Sequence, residues 1–382
     1  MVRDMPSIYQ VPMLLEQQGV IPLLKEILKL DQLALSSALV NKGHSIWVEW
    51  TTLTATENRF FETVTIVLVG KYVELHDSYL SVIKSLEHSA MRCKRKLDLQ
   101  WVDSEHLEPA TGTRDPAKFH KAWHAVCTAA GILVPGGFGQ RGTEGMVAAA
   151  KWARENRTPY LGICLGMQIA VIEFARNVCG IAGATSEEFD ASASTNTSTN
   201  TSTNTSTNTS TSTSTSTSDS DSGSAADSHV IMFMPEVDKA SMGATMRLGL
   251  RPTLFQPGSE WSRLRALYAD RERRRGGSGS GTILERHRHR YEVNPAFIER
   301  LEKGGLSFVG KDDKGERMEI IELKDHPWFV GVQFHPEYLS RVLDPSRPYL
   351  GFVAASAGLL ASAEFQGQRV VMVKGVKADV EV

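Results

Sequence analysis

The segment PYLGICLGMQIAVIEF places a cysteine between a short apolar run and an amphipathic helical pattern. Gly162, Cys164 and Gly166 form Gly-x-Cys-x-Gly, a pattern typical of a nucleophile elbow, because small residues allow a sharp turn from strand to helix. The thiolate is the reactive form of cysteine, and a helix N-terminus stabilises its negative charge. The spacing therefore predicts a nucleophile at Cys164, with a small buried structural cysteine as the alternative.

The segment VGVQFHPEYLS could supply the base that such a cysteine needs. His335 and Glu337 follow an apolar run, and residues two apart project to the same side of an extended backbone. We expect the imidazole to take the thiol proton while the carboxylate holds its tautomer. In the absence of Cys164, the pair would more simply be a polar strand end.

The glycine-rich segment LVPGGFGQRG could bind the oxyanion formed when a thiolate attacks a carbonyl. We expect the backbone amides of Gly137 and Leu165 to form this donor pair, with a plain turn into a helix as the alternative. GFGQRG also fits the dinucleotide pattern, but Glu155 lies before the next strand rather than at its end. GLSFVGKD resembles a phosphate loop, but Asp312 replaces Ser/Thr and Lys311 enters a predicted hairpin.

Composition narrows the class of protein. The chain has 382 residues, 41% hydrophobic content and a net charge of −2, so no basic field favours nucleic acid or an anionic membrane. Four cysteines without a CxxC pair predict neither a disulfide framework nor a zinc site, and we expect Cys93, Cys127 and Cys179 to be buried structural residues. With no apolar leader and no long apolar run, we expect a cytoplasmic protein.

Strand and helix patterns alternate with short connections from TVTIVLVGKY to TPYLGIC, which predicts an α/β fold with a parallel sheet covered by helices. A later strand-rich region contains IMFMPEV, TILERHRHRYEV, LSFVGKDDKGERMEIIEL and WFVGVQF. We expect these strands to complete the same sheet before a final helix at YLGFVAASAGLLASA.

Three regions are predicted along the chain. Residues 1–60 carry a helical pattern and a polar linker without enough strands to close a core. Residues 61–365 form the α/β domain, interrupted at 190–228 by a Ser/Thr/Asn-rich insertion with no large apolar residue, which we expect to be disordered. Residues 366–382 form a C-terminal tail.

PGGFG, GICLGMQ and GVQFHPE together resemble the three active-site segments of class I glutamine amidotransferases, which release ammonia from glutamine through a Cys-His-Glu triad. VGKYVELHDSYLSVIKSLEHSA, GATMRLG and ERHRHRYEVN extend the resemblance to the CTP synthase family, from about residue 7 to about residue 360. This resemblance implies a mostly parallel central sheet flanked by helices in a flavodoxin-like arrangement.

The resemblance also implies a role for each matching residue. Cys164 would be the nucleophile, His335 the base and Glu337 its orienting carboxylate. Two residues, Phe138 and Arg247, match positions that respond to the activator GTP, and no metal site is implied. The residues that match those holding glutamine and its oxyanion are Gly137, Leu165, Gly166, Met167, Gln168, Glu188 and Arg290.

In the complete family enzyme, ammonia from glutamine aminates UTP to CTP, with ATP and magnesium as cofactors. The resemblance implies no cofactor in this chain, a synthase domain binding UTP and ATP as its partner, and a homo-oligomer, a tetramer in the family. We expect the chain to start at the last helix of that synthase domain. Two alternatives stay open: a stand-alone cysteine hydrolase of γ-glutamyl compounds, and a truncated, non-catalytic partner of synthase oligomers.

Overall fold

The computed structural model describes residue 5 and residues 7–56, 60–189, 228–234, 246–274 and 281–360. The predicted insertion over 190–228, apart from Ser228, lies outside the described residues, as does the predicted tail over 366–382.

Helices form the first part of the chain, as the sequence pattern predicts. They are α1 (Val11–Gln17), α2 (Val20–Ile27) and α3 (Ser37–Thr56). Large apolar side chains on α2 and α3 are exposed, including Ile27 and Leu39. Tyr9 links this part to the rest of the fold, because it packs with Met91 and its hydroxyl donates to Glu87 Oε2 at 2.8 Å.

A nine-stranded sheet forms the centre of the fold, in the order β2-β1-β3-β4-β12-β11-β10-β7-β8. Strands β2, β1, β3, β4 and β12 are parallel, and the remaining pairings are antiparallel. The parallel part has the 2-1-3-4-5 order of flavodoxin-like sheets. The predicted α/β class is therefore confirmed, and the parallel strands continue into a four-stranded antiparallel extension. The strands of this sheet are β1 (Thr63–Gly70), β2 (Lys96–Asp103), β3 (Gly131–Val134), β4 (Tyr160–Ile163), β7 (Arg247–Phe255), β8 (Thr282–His289), β10 (Ser307–Lys311), β11 (Met318–Glu322) and β12 (Phe329–Val332).

A second sheet has three strands, in the order β5-β6-β9. Its strands are β5 (Thr185–Ser186), β6 (His229–Phe233) and β9 (Tyr291–Val293). The strand predicted from IMFMPEV is thus present as β6, but the expectation that it completes the large sheet was wrong. Hydrophobic patterning gives a strand without specifying which neighbour pairs with it.

Helices pack on both faces of the large sheet. The alternation along β1 shows why: Ile66 and Leu68 contribute to the core on one face, while Val67 and Val69 contribute to the core on the other, and all four are fully buried. Burying each such side chain stabilises the fold by about 1.5–3 kcal/mol. The remaining α-helices of the described chain are α4 (Leu80–Arg92), α5 (Pro109–Arg114), α6 (Pro116–Thr128), α7 (Thr143–Glu155), α8 (Leu165–Asn177), α9 (Arg263–Arg274), α10 (Pro295–Lys303) and α11 (Arg347–Ser356).

The other cysteines occupy different environments. Cys93 is buried, as expected, and burial raises the pKa of its thiol to about 12. Cys179 is half-buried, and Cys127 is exposed on α6, so the prediction of a buried Cys127 was wrong. The expected hairpin at Lys311 is present between β10 and β11. Within the described ranges, no helix combines the length and apolar character needed to span a membrane.

Candidate active site

Cys164 lies at the junction of β4 and α8, where it is the N-cap residue of the helix. Its backbone has φ 52° and ψ −102°, a conformation that costs a non-glycine residue about 1–3 kcal/mol. The amides of Met167 and Gln168 donate to its carbonyl oxygen, at 3.1 and 3.2 Å. The turn leaves the Cys164 side chain beside the first turn of α8, where the helix favours negative charge.

The two flanking glycines permit this turn. A Cβ on Gly162 would lie 2.5 Å from the carbonyl oxygen of Gly166. A Cβ on Gly166 would lie 2.1 Å from the carbonyl oxygen of Val134 in β3. Both obstacles are backbone atoms, so the strand-to-helix junction can pack this closely only with glycine at the two positions.

His335 and Glu337 form the expected pair, with His335 Nδ1 2.8 Å from Glu337 Oε1. The expectation of an extended backbone was wrong, because Pro336 starts a short 3-10 helix that runs to Leu339 and contains Glu337. The carboxylate can only accept, so Nδ1 carries the proton and Nε2 remains available to the thiol.

Adjacent strands bring the cysteine and the histidine together. The Cys164 amide donates to Val332 O in β12 at 2.7 Å, and His335 follows β12 by three residues. Burial acts to lower the pKa of His335, but the charges of Glu337 and Cys164, together with hydrogen bonds to both, hold this pKa well above its usual range. The arrangement therefore favours a protonated imidazole at His335, directly beside Cys164.

The glycine-rich segment packs against this pair. A Cβ on Gly136 would lie 2.8 Å from His335 Cε1 and 3.5 Å from Cys164 Cβ, so a side chain there would collide with the histidine. The backbone at Gly137 passes close to Leu165, since a Cβ on Gly137 would lie 3.4 Å from Leu165 Cδ2. The two amides proposed as oxyanion donors thus belong to neighbouring segments.

Lys71 holds this segment in place, and sequence reasoning missed it. Its side chain is buried at the end of β1, and Nζ donates to the carbonyl oxygens of Phe138, at 3.2 Å, and Gly139. Burial lowers the pKa of Lys71 to about 8, although the charge of Glu188 acts against this shift. A single lysine after a strand carries no pattern that could have identified it.

Glu188 and Arg290 also lie near this loop. Glu188 Oε1 accepts a hydrogen bond from the Gly139 amide at 2.8 Å. Burial raises the pKa of Glu188, and the Gly139 amide, Lys71 and Arg290 act to lower it. The Arg290 charge is therefore close enough to act on the Glu188 carboxylate, which contacts the glycine-rich loop.

The first turn of α8 contributes mainly packing. The side chains of Leu165 and Met167 are buried in the core, while Gln168 Nε2 donates to Tyr291 O at 3.1 Å and to Gln333 Oε1 at 3.3 Å. Gln333 in turn places Nε2 3.6 Å from Cys164 Sγ. Sequence reasoning missed Gln333, although its position two residues before His335 was an available signal.

The two activator-response candidates lie in different environments. Phe138 is 48% exposed on the glycine-rich loop. The Arg247 guanidinium is nearly buried, donating from Nη2 to Glu319 Oε1 at 2.7 Å, with Nη1 3.7 Å from Asp312 Oδ2. Arg247 is therefore held within the antiparallel part of the sheet, whereas Phe138 presents its ring to solvent.

Comparisons with known proteins agree with this architecture. Residues 74–355 match the family described as Glutamine amidotransferase class-I. The chain therefore belongs to the class I glutamine amidotransferases. Within that family it corresponds to the glutaminase portion of the CTP synthases, as the following likenesses show.

The CTP synthase of Neurospora crassa is 60% identical over 359 residues, which cover 94% of this chain and 54% of that protein. The CTP synthase of Schizosaccharomyces pombe is 56% identical over 369 residues, covering 97% of this chain and 54% of the relative. The solved glutaminase domain of Trypanosoma brucei CTPS with bound acivicin is 36% identical, with a TM-score of 0.60; the match covers 78% of this chain and 94% of that domain. The chain spans about half the length of the curated relatives it matches.

Proposed function

We propose that this chain hydrolyses glutamine to glutamate and ammonia through a thioester on Cys164. The observation that carries the proposal is the strained Cys164 next to a His335–Glu337 pair whose histidine favours the protonated state. A strained residue at the start of a helix, with a base oriented by a carboxylate, is the arrangement used in nucleophilic acyl transfer.

The first half of the reaction forms the acyl-enzyme. His335 Nε2 takes the proton of the Cys164 thiol, and the thiolate attacks the side-chain amide carbon of glutamine. The carbonyl π electrons move to oxygen, and the Gly137 and Leu165 amides stabilise that oxyanion. The imidazolium then protonates the departing nitrogen, the carbon–nitrogen bond breaks, and ammonia leaves behind a γ-glutamyl thioester.

The second half returns the enzyme to its starting state. His335 removes a proton from water, whose oxygen attacks the thioester carbon through a second oxyanion. The carbon–sulfur bond breaks, glutamate leaves, and the proton on His335 returns to the Cys164 sulfur. Throughout both halves Glu337 fixes the tautomer and supports the positive imidazolium.

Glutamine would be held by charge complementarity. Glu188 suits its ammonium group and Arg290 its carboxylate, as the proximity of these two side chains supports. Lys71 keeps the glycine-rich loop in position without needing to touch the substrate.

The likeness to CTP synthases supports a place in a larger reaction. The ammonia would aminate UTP to CTP, which needs ATP and magnesium at a synthase domain, in a cytoplasmic homo-oligomer. GTP would act as the activator. The exposed ring of Phe138 suits stacking against a purine base, whereas Arg247 would act through its buried ion pairs rather than by contacting the nucleotide.

The test combines hydrolysis with covalent labelling. Cys164→Ala should lose glutaminase activity and labelling by a chloroketone analogue of glutamine, which alkylates thiolates. Cys127→Ala is the matched control, because it removes an exposed thiol and should leave both unchanged. Peptide mapping should find the label on Cys164, and glutamine should slow its formation. Continued hydrolysis by folded Cys164→Ala would exclude the thioester mechanism.

A further inference from the structure

A cluster of buried and partly buried charged and titratable side chains lies in the antiparallel part of the fold, and the triad does not use it. Burying ionic groups is costly unless the groups are paired with good geometry, so such a cluster calls for an explanation. Its members are Arg247, His287, His289, Glu292, Asp312, Arg317 and Glu319.

Three of these residues form a chain of contacts, which we call the histidine chain: Glu319 on β11, then His287 and His289 on β8. Glu319 Oε2 lies 3.0 Å from His287 Nε2, in an ion-pair contact rather than an aligned hydrogen bond. His287 Nδ1 lies 3.1 Å from His289 Nε2. His289 Nδ1 lies 3.0 Å from the carbonyl oxygen of Tyr291.

The contact between His289 and Tyr291 determines which ring nitrogens in the histidine chain carry protons. A carbonyl oxygen can only accept, so His289 Nδ1 donates to Tyr291 O. Burial, with the charge of His287 second, lowers the pKa of His289 far below its usual range, so Nε2 is an acceptor for His287 Nδ1–H. The other ring nitrogen of His287, Nε2, faces Glu319 Oε2 at 3.0 Å.

Glu319 is firmly placed at the other end. Its Oε1 accepts from Arg247 Nη2 at 2.7 Å, and its Oε2 accepts from Thr253 Oγ1 at 2.8 Å. These contacts anchor the carboxylate to β7. The histidine chain therefore starts at a fixed carboxylate and ends at a main-chain carbonyl.

That carbonyl lies at a break in the sheet next to the glutamine pocket. β8 ends at His289 and β9 begins at Tyr291, so Arg290 is the single residue where the chain passes from the large sheet to the small one. The His289 side chain bridges this break. Tyr291 O also accepts from Gln168, and Arg288 O lies 3.9 Å from Cys164 Sγ.

We propose that Glu319, acting through His287 and His289, is a positioning residue for the glutamine pocket that fixes the break at Arg290 and so aims the Arg290 guanidinium. This role rests on the proposed glutaminase function. Glu319 touches neither the substrate nor the reacting atoms, so it acts on substrate binding rather than on the chemical step.

The test separates binding from chemistry by means of the chloroketone analogue. Alkylation of Cys164 as a function of analogue concentration gives a dissociation constant and a maximal rate. Glu319→Gln should raise the dissociation constant about tenfold, the effect of weakening one charge-assisted contact, and leave the maximal rate unchanged. Glu322→Gln is the matched control on β11: it also removes a buried carboxylate, which accepts from Arg263 N at 3.0 Å away from the pocket, and should change neither constant.

A second pair of variants tests the other end of the chain. The amide nitrogen of asparagine can take the place of histidine Nδ1, so His289→Asn should keep the donor to Tyr291 O but lose the contact with His287, and bind the analogue more weakly than the wild type and more tightly than His289→Leu. His289→Leu removes the donor and should weaken binding about tenfold. If Glu319→Gln does not fold, the two His289 variants still test the positioning role. Equal binding by His289→Asn and His289→Leu would overturn the positioning role.

Failure of the two proposals gives different results. If the analogue does not label Cys164 in the wild-type chain, the glutaminase proposal fails. If it labels Cys164 in the wild type, and folded Glu319→Gln has the wild-type dissociation constant or loses only its maximal rate, the glutaminase stands and the positioning role of Glu319 is refuted.

Discussion

The strained backbone at Cys164 gives a prediction about stability that is independent of catalysis. Both Cys164→Ala and Cys164→Gly remove the sulfur, but only alanine keeps a Cβ at φ 52°. Strain of this kind costs about 1–3 kcal/mol. Glycine loses about 0.5–1 kcal/mol relative to alanine, because its unfolded chain is freer. With about 2 kcal/mol of strain relieved, we expect Cys164→Gly to exceed Cys164→Ala in free energy of unfolding by about 1 kcal/mol.

Urea denaturation of the two variants measures this difference, which corresponds to about 2 °C in melting temperature for a large domain. Ala170→Gly on α8 is the control: Ala170 is buried in the helix, where the same exchange should lower the free energy of unfolding by about 1 kcal/mol. An alanine variant at position 164 that matches or exceeds the glycine variant in stability would show that the turn is not strained.

Three further predictions concern other residues. Gly166→Ala should lower the free energy of unfolding by about 2–3 kcal/mol, since its Cβ would meet Val134 O at 2.1 Å. Gly43→Ala is the control and should not lower it, because a Cβ there would have no atom within 4 Å. Urea denaturation of the two variants tests both expectations. Burial lowers the pKa of Lys71 from 10.5 to about 8, so the unfolded chain binds this proton more tightly than the folded chain. The free energy of unfolding of the wild type should therefore rise relative to that of Lys71→Met between pH 8 and 10.5. Melting temperatures that keep a constant difference between the two proteins over this pH range would contradict the shift. Burial raises the pKa of Glu285 from 4.5 to about 7, so its stabilising contribution is present below pH 4.5 and is lost as the pH rises to 7. In chemical denaturation, the free energy of unfolding of Glu285→Gln should therefore increase relative to that of the wild type over this pH range. A difference in free energy of unfolding that does not change with pH would refute this.

The sequence predicts local features of the site better than its long-range ones. Gly-x-Cys-x-Gly predicts the turn at Cys164, although only part of the steric requirement is local: a Cβ on Gly162 would meet Gly166 O, whereas a Cβ on Gly166 would meet Val134 O in β3. The contact between His335 and Glu337 is also predictable, but its geometry is not: Pro336 starts a 3-10 helix where an extended strand was expected. The pair still meets, because His335 is the N-cap residue, outside the 3-10 helix, and its Nδ1 lies 2.8 Å from Glu337 Oε1.

Long-range partners could not be predicted from the pattern. Lys71 bonds to carbonyl oxygens 67 and 68 residues away along the chain, and nothing in its local sequence indicates such partners. The burial of Arg247 depends on Glu319, which lies 72 residues later. Likewise, the apolar pattern of β6 predicts a strand but not its place in the smaller sheet.

The hydrogen bond from Cys164 N to Val332 O has a consequence for how the protein would lose activity. This bond continues the ladder between β4 and β12 in the middle of the large sheet, so the spacing of nucleophile and base follows the interstrand distance of about 4.8 Å. Central ladders open only when the whole domain unfolds. The Cys164 amide should therefore exchange its hydrogen with solvent as slowly as the most protected amides, and heat inactivation should coincide with global unfolding rather than precede it.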